Sequence, residues 1–266
     1  MVDYTRYQEL RIERHERLLT VTLQRPDTLN AVTGRMHSEL STIFTDIAHD
    51  NDVDVVVLTG AGRAFCAGGD INWMQQLLSL PGGMTSISDE GKKIIRTLLD
   101  LEKPLICRMN GDAVGLGATL ALFCDVIIAD ETARIGDPHV RVGLVAGDGS
   151  AVIWPQLVGH ARAKEYLMTG DLMTAAQASD FGLINRAVPA DQLDAEVKKL
   201  TDKLLRGAQH AIRWTKVSVN IGLRQLAESI LDASIAYEVV SSTLPDHAEA
   251  VAAFAEGRRP VFGRHR

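Results

Sequence analysis

The chain has 266 residues, 46% of them hydrophobic and 23% charged, with a formal net charge of −6 at pH 7. Such a chain buries the core of one large domain, or of one domain with a helical appendage, and is neither disordered nor collagen-like. Mild acidity without a long basic run offers nothing to neutralise a phosphate backbone, so no nucleic acid partner is expected.

The opening stretch MVDYTRYQELRIERHERL is charged throughout and lacks a signal peptide's apolar region, and no apolar run reaches the roughly 18 residues that span a bilayer. A cytoplasmic protein with no membrane partner is the expectation. Cys66, Cys107 and Cys124 show neither CxxC spacing nor nearby histidine pairs, so they read as small buried hydrophobes in a reducing compartment, with no metal site.

In chain order, residues 9–14 and 18–23 predict a hairpin around the polar His15-Glu16-Arg17. Thr33 is placed to cap a helix whose Met36, Leu40, Ile43, Phe44 and Ile47 recur at helical spacing, and residues 54–58 read as a buried strand. A helical stretch follows from Ile71, a Pro-Gly-Gly break at 81–83 suggests a mobile loop, and residues 92–101 are amphipathic. Residues 104–109 and 126–129 predict two more strands around a small-residue helix at 115–123. Alternation of apolar runs and helices argues for an α/β core with a largely parallel sheet. From Ala161 onward the pattern is helical, which divides the chain into a core at 1–189 and a helical carboxy-terminal region at 190–266 that packs on the core or on a neighbouring subunit.

Two glycine-rich loops each follow a predicted strand and precede a helix: Thr59-Gly-Ala-Gly-Arg-Ala-Phe-Cys-Ala-Gly-Gly-Asp-Ile71 and Asn110-Gly-Asp-Ala-Val-Gly-Leu-Gly-Ala-Thr119. Neither fits a dinucleotide or Walker A fingerprint. Glycines let a ligand approach the backbone, and one free N–H from each loop would make an oxyanion hole; the alternative is that the glycines serve only strand-to-helix packing.

These loops, with Cys124-Asp125, Leu167-Met-Thr-Gly170 and the tail from Asp246 to Phe262, resemble the crotonase (enoyl-CoA hydratase/isomerase) superfamily over nearly the whole chain. The resemblance implies a spiral of ββα units with a helical trimerisation region, a homotrimer or dimer of trimers, and an acyl-CoA thioester substrate, with coenzyme A part of the substrate and no separate cofactor. It puts the oxyanion hole on the N–H groups of Gly69 and Leu116, and CoA contacts on Ala67, Gly68, Asp70 and Ile71. Arg63 stands where the family often has a CoA-contacting lysine, and a solvated loop charge is its other reading. The two glutamates of the family's hydratases are replaced by Thr119 and His139, which puts the paired-carboxylate route in doubt.

The stretch Asp137-Pro-His-Val-Arg-Val-Gly-Leu-Val-Ala-Gly-Asp-Gly149, followed by Val152-Ile-Trp-Pro155, is similar to the corresponding segment of 6-oxocamphor hydrolase, a superfamily member that cleaves a carbon–carbon bond in a cyclic 1,3-diketone. There the histidine and aspartate matching His139 and Asp148 form a catalytic pair, and Glu238 matches a further carboxylate; its other active-site histidine would fall at Gly117 and is missing here. An imidazole with a normal pKa near 6.5 is a competent base at neutral pH, and Asp148 bonded to its far nitrogen would fix the tautomer. Alternatively His139 bonds backbone in a packed turn and Asp148 caps the helix beginning near Gly149. Asp70 reads as a cap, Trp73 and Trp154 as packing residues. His15, His37, His49, His160, His210, His247 and His265 fall in charged or surface-like contexts and take no site role. The resemblance implies an enoyl-CoA hydratase/isomerase-type acyl-CoA enzyme with a His/Asp pair in place of the glutamates; the alternatives are a 1,3-dicarbonyl carbon–carbon hydrolase and an acyl-CoA-binding protein without catalysis.

Overall fold

The computed structural model describes residues 2–263. His265, given no role above, lies outside them. Strands β1 (Leu10–His15) and β2 (Leu18–Leu23) form the predicted hairpin, its turn held by Glu16 at φ 52°. Helix α1 (Gly34–His49) is capped by the Thr33 side chain, which accepts from Met36 N–H, and leads to β3 (Val55–Gly60). After the first glycine loop come α2 (Ile71–Ser79) and α3 (Ser88–Asp100). A short 3-10 turn at Gly83–Ile87 joins them. Strand β4 (Leu105–Met109), the two-residue β5 (Ala113–Val114), α4 (Leu116–Leu122), β6 (Val126–Asp130) and β7 (Arg134–Gly136) follow. Then come α5 (Ser150–Thr169), kinked where Gly159 leaves helical geometry, β8 (Met173–Thr174), α6 (Ala175–Asp180) and β9 (Arg186–Val188). The chain closes with α7 (Leu193–Leu205), the 34-residue α8 (Gln209–Ser242) and α9 (Pro245–Ala255).

The main sheet has the order β1-β2-β3-β4-β6-β9 and is parallel beyond the hairpin; β5, β7 and β8 make a second, smaller sheet. Every residue of β3 is buried, because both faces of the main sheet are covered. Val56 and Leu58 face the large core with α1 and α3, while Val55 and Val57 face a second cluster containing Leu193 and Val197 of α7. Thus α7, placed by sequence in the carboxy-terminal region, forms a layer of the core. Helix α8 packs across α3 and α5. All three cysteines are free and buried. No helix among the described residues is long and apolar enough to cross a membrane.

Candidate functional site

The two glycine loops lie side by side at the carboxyl ends of parallel strands. Val114 N–H donates to Cys66 O at 2.9 Å, and isolated bridges pair Cys66 with Ala113 and Val32 with Gly69. This approach is possible only without side chains: a Cβ on Gly68, which sits at φ 88°, would be 3.0 Å from Val114 O, and one on Gly117 would be 2.5 Å from Cys66 O. Gly69 and Leu116 both line one cavity of about 510 Å³, as do Ala67, Gly68, Asp70 and Ile71.

That cavity is mostly apolar, walled by residues such as Trp73, Met74, Leu77, Val142 and Ile235, and its few polar side chains include His37, His139, Asp148, Glu238 and His247. An apolar pocket with a small set of convergent polar groups is the usual form of a small-molecule site.

His139 opens a 3-10 turn at His139–Val142, directly after β7. Three glycines of this stretch determine what surrounds it. Gly147 lets α8 come close, since a Cβ there would be 2.3 Å from Ser234 O and 2.8 Å from Glu238 Cβ. Ser234 Oγ donates to Gly147 O at 2.8 Å and fixes that contact. Gly149, at φ 122°, admits Ile95, Phe123 and Thr119, and Gly143, at φ 69°, admits the backbone of His247 on α9. Asp148 is thereby pinned between two glycines with its carboxylate beside Glu238 of α8.

The His139 ring is gripped from both ends. Nδ1 is hydrogen-bonded to Asp137 Oδ1, and His139 N–H also donates to that oxygen at 3.1 Å. Nε2 lies 3.6 Å from Asp148 Oδ2 and 3.9 Å from Glu238 Oε1. Asp148 Oδ1 accepts from Thr119 Oγ1 at 3.2 Å, and that hydroxyl is also 3.2 Å from Ser150 Oγ. Burial alone would push the imidazole down, but the charges of Asp137 and Asp148, with Glu238 behind them, outweigh it and hold His139 well above its usual 6.5. Burial pushes Asp148 up despite the neighbouring imidazole. Glu238 is pushed up to about 8, by burial first and the Asp148 charge second. For Asp137 burial acts upward, yet the imidazole holds it below the usual carboxylate range.

These observations correct some expectations and agree with others. Asp137, not Asp148, fixes the far nitrogen of His139; Asp148 stands at the nitrogen directed toward Glu238. Asp148 does not cap α5, whose N-cap is Gly149 with no side-chain bond. The charges of Asp137 and Asp148 raise His139 well above the ordinary 6.5. Asp70 caps α2 by accepting from Asn72 N–H at 2.9 Å and also binds Arg25 at 3.1 Å, as a cap should. Arg63 is exposed and outside the cavity lining. Trp73 lines the cavity instead of serving packing alone. His37 and His247, assigned to surface contexts, are both buried and both line it.

Asp137, His139 and Asp148 have ligand atoms within 4.8 Å of one another. Asp137 already engages Nδ1 of the imidazole, and Asp148 Oδ1 the Thr119 hydroxyl.

Comparison with known proteins agrees with this architecture. The model of the enoyl-CoA hydratase/isomerase family matches residues 13–265. A crotonyl-CoA hydratase of Syntrophomonas wolfei subsp. wolfei is 33% identical over 261 residues, covering 96% of this chain and 98% of its own. Among solved structures, an enoyl-CoA hydratase/isomerase from Mycobacterium paratuberculosis superposes with a TM-score of 0.88 at 34% identity, covering 92% of this chain and 97% of its own. A β-diketone hydrolase from the cyanobacterium Anabaena, bound to (S)-3-oxocyclohexyl acetic acid, gives 0.83 at 31% identity, covering 90% and 96%.

Proposed function

Since this chain belongs to the enoyl-CoA hydratase/isomerase family, we propose that it acts on an acyl-CoA thioester, adding water to, or moving a proton within, an enoyl-CoA by means of His139, Asp148 and Glu238. The observation that carries this reading is the position of His139 Nε2, within 3.9 Å of two carboxyl groups and lining the same cavity as Gly69 and Leu116. The thioester oxygen accepts from the N–H groups of Gly69 and Leu116, which stabilise the enolate as it forms. Gly115 lies against the imidazole, a Cβ on it falling 3.6 Å from His139 Cε1, so the hole and the acid-base cluster are adjacent.

Asp148 takes the proton of the attacking water as its oxygen bonds to the β-carbon, and the cluster delivers a proton to the α-carbon from Glu238 or His139 Nε2. Transfer from Asp148 through the imidazole restores the starting state. Asp137 keeps Nδ1 protonated throughout and prevents the ring from turning. Thr119 orients Asp148 through its hydroxyl.

Hydration of crotonyl-CoA, followed as loss of the conjugated enoyl-thioester absorbance, tests this. Wild type should turn over and His139→Ala should lose at least about a hundredfold, the scale of general acid-base catalysis. A His139→Ala variant of equal activity would end the proposal. The likeness to the β-diketone hydrolase supports a second reading, in which the same activated water attacks a ring carbonyl of a 1,3-dicarbonyl CoA ester and opens the carbon–carbon bond. Inertness toward crotonyl-CoA with turnover of such an ester would select it. The homotrimer expected from the family belongs to the same proposal; the exposed Trp214 and Ile221, two turns apart on α8, support an intersubunit role for that helix. Sedimentation analysis checks it.

A further inference from the structure

Two buried histidines, His37 and His247, line the cavity outside the acid-base cluster. His37 projects from α1 and is 5% exposed. Its Nδ1 is bonded to Glu90 Oε2 of α3 at 2.9 Å, and its ring lies against Trp73 of α2 at a centroid distance of 5.3 Å. Among the described residues Nε2 has no protein hydrogen bond. A Cβ built on Gly91 would lie 3.9 Å from both that nitrogen and Ile235 Cδ1. Ile235 precedes Glu238 by one turn of α8, and both line the cavity with His37. An imidazole oriented by a carboxylate, wedged against an indole and open only to the cavity, is costly to leave unpaired once a purely hydrocarbon acyl group has expelled the water.

We propose that His37, backed by Glu90, is a second polar subsite that binds an oxygen on the acyl group, making the substrate the CoA ester of an oxo- or hydroxy-acid rather than of a plain hydrocarbon acid. This rests on the acyl-CoA reading above. With Nδ1–H donated to Glu90, the neutral ring accepts from a hydroxyl or enol, while the imidazolium donates to a carbonyl. Either way the oxygen is held at the wall of the cavity that His37 shares with Trp73.

The test is calorimetric binding of hexanoyl-CoA, 3-oxohexanoyl-CoA, 5-oxohexanoyl-CoA and 5-hydroxyhexanoyl-CoA to wild type, His37→Leu and Glu90→Gln. The expected result is an oxygenated ester bound at least about tenfold tighter than hexanoyl-CoA by wild type, as a hydrogen bond to a charged or polarised partner provides. That preference should fall to within about threefold in His37→Leu and be weakened in Glu90→Gln, whose side chain is 36% exposed and whose replacement spares the core. Which ester gains separates the keto from the hydroxyl ligand. Equal binding of all four by wild type, or a preference that survives His37→Leu, overturns the subsite. Should His37→Leu fail to fold, an undiminished preference in Glu90→Gln and in His37→Asn overturns it equally. Failure of every CoA ester to bind would instead overturn the acyl-CoA reading itself.

Discussion

The two walls of the cavity are built from different materials. The wall carrying Gly69 and Leu116 is backbone, set by two strand-to-loop turns whose glycines touch; the wall carrying His139, Asp148 and Glu238 is side chains, drawn from a 3-10 turn, a loop and a helix ninety residues further on. Backbone donors stay in place whatever the neighbouring side chains are, provided no Cβ intrudes. Side-chain donors and acceptors can be exchanged one at a time, and their protonation depends on each other's charge. The first wall therefore suits the part of the chemistry a family shares, and the second the part that differs.

The comparison breaks most severely at the backbone wall. Gly117→Ala puts a methyl 2.5 Å from Cys66 O and 2.7 Å from Cys66 Cβ, both buried. Overpacking of this kind costs about 1–3 kcal/mol. A lowered denaturation midpoint together with loss of acyl-CoA binding is expected, and a variant as stable and active as wild type would show that the loops need not touch.

On the side-chain wall the expected effects are electrostatic. Asp137→Asn keeps the shape but removes the charge that most raises His139, so the imidazole should fall toward its usual value and turnover should drop by roughly ten- to a hundredfold. Folding should survive, and a pH-rate profile unchanged from wild type would deny Asp137 its orienting role.

Glu238→Gln addresses a group pushed up to about 8. Between the ordinary carboxylate value of 4.5 and about 8 the folded protein keeps a proton that the unfolded chain has lost, so this residue's contribution to stability falls as pH rises through that window. His139, raised above 6.5, acts in the same sense. The stability of Glu238→Gln relative to wild type should accordingly increase from pH 5 to pH 9, measured by urea denaturation. The alkaline limb of the wild-type rate profile near pH 8 should move or disappear with it. Thr119→Val, which removes one 3.2 Å bond to Asp148, is the mildest change, and less than about tenfold loss of turnover is expected.

How much of this could be read from sequence follows the same division. Apolar spacing and the Thr33 cap were enough to place α1, and the hairpin and the buried runs of β3, β4 and β6 show the period-2 or continuous patterns of strands. Strands β5 and β8 have two residues each, too few to display any period, so the second sheet is invisible. The paired glycine loops are legible because close backbone approach demands glycine. The side-chain wall is legible only in pieces: Asp137 precedes a proline and reads as a turn residue, and nothing local reveals that β7 ends where its carboxylate meets His139. His37 did carry a signal. It falls three residues before Leu40 and seven before Phe44, on the apolar stripe of α1, and His247 falls three before Ala250 and four before Val251 on α9. A histidine in phase with a buried stripe is a cavity candidate, whatever charges flank it in sequence.

The central claim is that Asp137 on one nitrogen and Asp148 near the other keep His139 charged as the proton store of the site. Titration of the His139 imidazole by NMR, assigned by comparison with His139→Ala, tests it most directly. The account predicts an imidazolium that persists at pH 7 and loses its proton only well above 6.5 in wild type, with the transition lowered in Asp137→Asn. A neutral ring at pH 7 in wild type would contradict it.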